Sequence, residues 1–348
     1  MNHAVVLSPT ASGNAGGVER YTNMVAEILR EEGWRVSIVA PTAKPGRWTY
    51  RVGGSPLALS RSAGRAARAA DRAPDLVIAN GFLGADAPRA QARIQIFHGT
   101  SIGETLAARA GYPPHDFVRR LVAYGPLEAL MARSGTLVVV SESAAAETAR
   151  YYRRRADATI PGGVDEQLFR PRERAQARAH LGVETDRTLA LFAGRVEYRK
   201  GGALLAESCA RGGAQLMIAG RTGLPGALNL GVLDSEELAW AYAAADLLLF
   251  PTLYEACSLT ILEALACATP VLSTRIAWMR TFLRALPEYD ALCVEPTVES
   301  IAARLRSFDA TRAQPLADRA REWVIAHNGL EVFRRAWREL LREVTCAG

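Results

Sequence analysis

The chain has 348 residues, 49% hydrophobic and 22% charged, with a formal net charge of +6. That composition excludes a disordered polar chain, and the length, at about 150 residues per domain, predicts two domains with sizeable cores. The five cysteines (Cys209, Cys257, Cys267, Cys293, Cys346) contain no C-x-x-C pair and do not cluster with the five histidines, which argues for reduced thiols and against a disulfide scaffold or a structural zinc site.

Strand and helix patterns alternate from the start. Residues 4–7 read as a strand that passes through Gly13-Asn14-Ala15-Gly16-Gly17 into a helix, where Val18, Tyr21, Val25, Ile28 and Leu29 recur at helical spacing before Gly33. Further strands are expected at 35–40, 76–79, 94–97 and 137–140, with a helical hairpin over 103–133 broken at Pro113-Pro114. Arg61, Arg65, Arg68 and Arg72 fall at i, i+4, i+7 and i+11 of an Ala-rich helix. The turn-rich stretch at 160–165 reads as a linker, after which strands are expected at 188–193, 216–219, 247–250, 271–273 and 291–294. A last helix carries Val332, Trp337, Leu340, Leu341 and Val344. The expected division is 1–163, 164–328 and a terminal helical segment 329–348. The expected class is α/β: two Rossmann-like domains with parallel sheets facing a central cleft, ligands at the carboxyl ends of the strands, and the terminal helix packing back on the first domain.

Charge is concentrated in the first half: residues 1–165 carry 20 Lys and Arg against 14 Asp and Glu, whereas residues 166–348 carry 22 of each. Only Lys44 and Lys200 are lysines, which singles out a lysine within a motif. Residues 1–9 lack the basic segment and the roughly 7–15-residue apolar core of a signal peptide. No stretch reaches the roughly 18 uncharged apolar residues of a spanning helix, since Asp246 interrupts 238–250. A cytoplasmic location is expected. The arginine stripe fits either a solvated face or peripheral contact with an anionic membrane at its inner face, with Trp48 and Tyr50 the nearest candidates for insertion.

Three motifs carry chemistry. Gly16-Gly17 ahead of a helix lets backbone approach an anion at a helix N-terminus, although a turn that merely needs unusual backbone angles reads the same way. Gly194-Arg195-Val196-Glu197-Tyr198-Arg199-Lys200-Gly201 follows a strand, so a planar fork (Arg195) and a point charge (Lys200) can converge on one diphosphate. In the third motif Glu255 sits at a strand end, Ser258, Leu259 and Thr260 open a helix whose amides face an anion, and Glu263 lies on its first turns.

Together these residues, with Gly163-Val164-Asp165, the G-R-x4-K-G and E-x7-E motifs and Pro270-Val271, resemble the retaining glycosyltransferases of family 4, which have the GT-B fold. The resemblance implies a nucleotide-sugar donor. Arg195 and Lys200 would hold its diphosphate, Glu263 its ribose hydroxyls and Glu255 hydroxyls of the transferred sugar. The amides of Ser258, Leu259 and Thr260 would face sugar and phosphate, while Gly16 and Gly17 would approach the diphosphate. His98, ending the strand 94–97, would reach the donor sugar, and Arg195, Lys200, Glu255 and His98 would carry the catalytic step. The acceptor would be a polysaccharide, a lipid-linked sugar or a small natural product, with no nucleic-acid partner. With two cations in place and no D-x-D, no metal or other cofactor is expected. Retention implies attack by the acceptor on the face the diphosphate leaves, the departing phosphate taking the proton.

The sequence departs from the family at Ala256-Cys257-Ser258, where Gly-Phe-Gly is usual, at Ala268 in place of Gly, and at 274–278. A nucleotide-sugar-binding protein without transfer activity is therefore the rival reading. A dinucleotide-dependent oxidoreductase is more distant, because the first glycine turn lacks the G-x-G-x-x-G spacing.

Overall fold

A computed structural model describes residues 2–10, 16–41 and 56–346. Gly13, Asn14, Ala15, Lys44, Trp48 and Tyr50 lie outside them. The chain divides into one unit made of the residues up to Gly162 with those from Phe333 onward, and a second spanning Gly163–Val332.

In the first unit β1 (His3–Leu7), β2 (Arg35–Val39), β3 (Leu76–Asn80), β4 (Ala92–Phe97), β5 (Thr136–Val139) and β6 (Ala158–Thr159) form one parallel sheet in the order β2-β1-β3-β4-β5-β6. β1 and β3 are buried throughout, the signature of strands covered on both faces, which explains their unbroken apolar runs. The helices are α1 (Gly17–Glu31), α2 (Pro56–Ala70), α3 (Ser101–Ala107), α4 (Pro114–Arg119), α5 (Gly125–Met131) and α6 (Glu142–Tyr152).

Helix α1 buries Tyr21, Val25, Ile28 and Leu29 of the periodic set seen in the sequence and leaves Val18 half-buried. At its start Glu19 folds back over Gly16: a Cβ there would lie 2.9 Å from Glu19 Oε2, and Thr10 Oγ1 donates to Glu19 Oε1 at 3.2 Å. On α2, Ser60, Ala63, Gly64 and Ala67 face inward while Arg61, Arg65 and Arg68 are exposed; Arg72, expected on the same helix, is exposed beyond its end at Ala70. Half of that stripe is tied down, since Arg61 Nε pairs with Asp86 at 3.4 Å and Arg68 Nε donates to the Asp86 carbonyl at 2.6 Å.

The segment expected as a two-helix hairpin is more broken than that. Pro114 does open α4, but α3 has already ended at Ala107, and a π-helical stretch, Arg120–Tyr124, separates α4 from α5.

In the second unit β7 (Leu189–Ala193), β8 (Gln215–Ala219), β9 (Leu228–Gly231), β10 (Leu247–Phe250), β11 (Val271–Thr274) and β12 (Cys293–Val294) form a parallel sheet in the order β12-β11-β10-β7-β8-β9. Its helices are α7 (Arg174–Leu181), α8 (Leu205–Gly212), α9 (Ser235–Ala244), α10 (Leu259–Ala266), α11 (Ala277–Ala285), α12 (Val298–Arg306) and α13 (Ala310–Asn328). β6 and β9 were not expected. The first has two residues, and the second is a half-exposed edge strand, so neither offers an apolar run. Residues 291–292, expected as strand, instead end the 3-10 turn Pro287–Leu292 that Pro287 opens.

Helix α14 (Leu330–Cys346) completes the first unit. Trp337 Nε1 donates to Tyr21 Oη at 3.2 Å, Tyr21 Oη donates to the Ile160 carbonyl at 2.8 Å, and Arg338 Nη2 meets Glu31 at 2.9 Å. Among the described residues no helix is long and apolar enough to cross a membrane.

Ala268 ends the turn after α10 with φ +55°, in the left-handed region where an L side chain is strained and glycine is not. Ala268→Gly is accordingly expected to raise unfolding stability by about 1 kcal/mol, read as an increased urea midpoint at unchanged slope. A lowered midpoint would show that the buried Ala268 methyl outweighs the backbone strain.

Candidate functional site

In the second sheet the strand order reverses between β7 and β10, and ligands of such sheets bind beyond the carboxyl ends at that reversal. Two loops start there, 194–201 and 251–258. Arg199 laces them together: its carbonyl accepts from Leu253 N (2.7 Å) and Thr252 Oγ1 (3.1 Å). Its Nη1 donates to the Tyr254 carbonyl (2.8 Å) and to Glu255 Oε1 (3.1 Å). Gly201 (φ +72°) permits the approach, because a Cβ there would lie 2.2 Å from the Pro251 carbonyl oxygen.

Lys200 Nζ stands 3.7 Å from Glu255 Oε1 and 5.4 Å from the centre of the Phe250 ring, with both charged side chains only 16% exposed. Burial lowers the Lys200 ammonium pKa, opposed chiefly by the Glu255 carboxylate. Arg199 thus takes the short contact with Glu255, while Lys200 lies beyond hydrogen-bond distance of it and keeps its donors available to a ligand. Arg195 is different: 67% exposed, it pairs with Glu197 at 2.9 Å, a surface contact worth at most about 1 kcal/mol and easily exchanged for a phosphate.

Helix α10 begins at the end of the second loop. Ser258 is its N-cap, with Oγ accepting from Ile261 N at 3.4 Å, and the first-turn amides lack partners within the helix. Ser258 and Leu259 are buried, Thr260 partly so, and Glu263, one turn on, is buried with Oε2 accepting from Tyr242 Oη at 3.0 Å. The structure therefore brings together Lys200, Glu255 and the start of α10, puts Glu263 inside that helix, and leaves Arg195 on the outer part of its loop.

Gly16, Gly17 and His98 belong to the first unit. Its strand order reverses between β1 and β3; Gly16-Gly17 follow β1, Asn80 ends β3, and His98 follows β4. A Cβ on Gly17 would meet nothing within 4 Å, so backbone there is open to approach. His98 Nε2 lies 2.9 Å from Asn80 Oδ1, and Tyr21 packs edge-on against the ring at 4.9 Å.

Desolvation lowers the His98 pKa to about 4, so the ring is neutral at neutral pH. An unfolded chain takes up that proton near pH 6.5, whereas the folded chain refuses it until about pH 4. Stability is therefore expected to fall as pH drops from 6.5 to 4 and to be independent of this group above that window. His98→Gln should flatten this part of a urea-midpoint profile against pH, and an unchanged slope would assign it to other groups.

The buried thiols of Cys209, Cys267 and Cys293 have pKa values pushed up by desolvation, that of Cys209 to about 12, which makes them packing groups and not nucleophiles. Among the described residues no three His, Cys, Asp or Glu side chains are grouped to hold a metal ion. Arg199 and Asn80 were missed by motif reading. The signals were present: a second cation beside Lys200, and a polar residue ending the otherwise apolar run of β3.

Two parallel α/β units, one of them with cations at its sheet reversal, form an architecture suited to a phosphate-bearing ligand. Two family models match, "Glycosyltransferase Family 4" over residues 15–168 and "Glycosyl transferases group 1" over residues 187–308. The chain belongs to glycosyltransferase family 4. It is 29% identical over 340 residues to D-inositol 3-phosphate glycosyltransferase 1 of Catenulispora acidiphila, covering 81% of this chain and 80% of that relative. Other curated relatives of similar name match over about two fifths of their own length. In fold it is similar to a sucrose-phosphate synthase from Thermosynechococcus elongatus (TM-score 0.82, 21% identity, 100% of both chains). The Anabaena protein Alr3699/HepE in complex with UDP-glucose is also similar (TM-score 0.68, 14% identity, 98% of this chain and 99% of that one). These neighbours carry the GT-B fold.

Proposed function

We propose that this chain transfers a sugar, with retention, from a nucleoside-diphosphate sugar of the UDP or GDP type to a hydroxyl of a polysaccharide, lipid-linked or natural-product acceptor, without a metal. The observation that carries this reading is the half-buried Lys200 beside Glu255 at the β7/β10 reversal, next to the first turn of α10. Breaking the bond between sugar and diphosphate builds negative charge on the β-phosphate and positive character on the anomeric carbon. Lys200, Arg195 and the α10 amides are the groups suited to the first charge. Glu255, held by Arg199, presents a carboxylate to sugar hydroxyls, and Glu263 presents one to the ribose.

Gly16, Gly17 and His98 supply the remaining donor contacts in this reading. The acceptor attacks on the face the diphosphate leaves, and the phosphate oxygen takes its proton, so no protein base is assigned. The UDP-glucose held by the Anabaena neighbour makes UDP-glucose the first donor to test, and the relatives' name makes D-inositol 3-phosphate the first acceptor.

The test is release of nucleoside diphosphate from UDP- and GDP-sugars, with EDTA present and an acceptor panel added. Acceptor-dependent release in EDTA supports the proposal. Tight donor binding with no release under any acceptor would favour a binding protein, the reading that Ala256-Cys257-Ser258 motivates.

A further inference from the structure

We propose that Asn80 is a positioning residue that fixes His98 with its ring proton on Nε2, so that His98 meets a substrate hydroxyl as an acceptor, through the lone pair of Nδ1. The inference rests on the reading that His98 reaches the donor sugar, and it says in which chemical form the ring does so.

The argument runs through a chain of hydrogen bonds with one consistent direction. Thr22 Oγ1 donates its proton to the Val18 carbonyl at 2.7 Å, which leaves its lone pairs facing outward. Asn80 Nδ2 donates to that oxygen at 3.1 Å and to the Leu7 carbonyl at 2.8 Å. Leu7 O can only accept, so the Asn80 amide cannot be turned the other way without setting two carbonyl oxygens against each other in a buried site. The atom left toward His98 is Oδ1, an acceptor, at 2.9 Å from Nε2. A neutral imidazole has one N–H, and here it belongs on Nε2.

Nδ1 is then the basic nitrogen, and among the described residues none hydrogen-bonds it. Tyr21, edge-on at 4.9 Å and anchored by its hydroxyl to the Ile160 carbonyl, holds the ring plane, so orientation and tautomer are set by different neighbours. A ring fixed this way accepts from a sugar hydroxyl without first exchanging tautomers, which is preorganisation of the kind that raises turnover.

The test is 15N–1H correlation NMR of the histidine side chains in the full chain, with His98 assigned by its loss in His98→Gln, together with donor kinetics. Wild-type protein is expected to show His98 as the pure Nε2–H tautomer. Asn80→Ala is expected to give a mixture of tautomers and a roughly tenfold fall in kcat with a smaller change in donor KM, the scale of one hydrogen bond. An Nδ1–H ring in the wild type, or an unchanged pure Nε2–H ring in Asn80→Ala, overturns the inference; the wild-type spectrum decides even where the variant does not fold. Full turnover by His98→Ala would instead remove the underlying sugar contact while leaving the tautomer result to stand or fall by itself.

Discussion

Lys200→Ala is expected to weaken nucleotide-sugar affinity by about 2–3 kcal/mol, roughly 30- to 160-fold, and to lower turnover at least as much, with the fold intact. The magnitude is that of a charge-assisted hydrogen bond to phosphate in a partly desolvated site. The fold should persist because Glu255 keeps its Arg199 partner at 3.1 Å, so no buried carboxylate is stranded, and removing an ammonium disfavoured by burial relieves a desolvation cost. Arg195→Ala should weaken affinity less, since its side chain is 67% exposed and must be drawn from Glu197. Titration calorimetry with the free diphosphate and the intact donor measures both. Unchanged affinity in both variants would remove the diphosphate assignment.

Gly201→Ala is expected to destabilise the second unit by about 2–5 kcal/mol. The left-handed backbone at φ +72° contributes about 1–2 kcal/mol of that, and the collision of a Cβ with the Pro251 carbonyl, 2.2 Å away, about 1–3 kcal/mol more. The obstacle is backbone at the end of β10, not a side chain that can rotate aside. Relief by separating the two loops would disturb the Arg199 contacts with Leu253, Thr252 and Glu255 and with them the Lys200 geometry. An unfolding stability, read from the urea midpoint and slope, within about 0.5 kcal/mol of wild type would mean that the loops part freely and that their lacing contributes little. The same substitution at Gly17, where a Cβ meets nothing, should leave the midpoint nearly unchanged.

The sheets were legible in the sequence because their strands are buried on both faces: the runs at 4–7, 76–79, 189–193 and 247–250 need no pattern finer than continuous apolarity. The edge strands β6 and β9 were not, since β6 has two residues and β9 is half exposed. At the site, the cation motif and the paired glutamates were readable because strand, turn and helix signals surround them. What spacing does not tell is which neighbour each charge meets. Arg199 takes Glu255 through a loop contact 56 residues away in sequence, and Arg195 turns toward Glu197. Asn80 escaped for the same reason, its partners being the ends of β1 and β4 and the side of α1.

The central claim, a nucleotide-sugar site built on Lys200 and Glu255, is tested most directly by thermal unfolding of the wild-type chain and of Lys200→Ala with UDP-, GDP- and TDP-sugars and their free diphosphates, each in EDTA. A ligand present at 100 times its dissociation constant adds about 2.7 kcal/mol of stability. The account predicts a clear rise in midpoint for one nucleotide series in the wild type, largely lost in Lys200→Ala. No shift with any nucleotide, or an equal shift in both proteins, would contradict it.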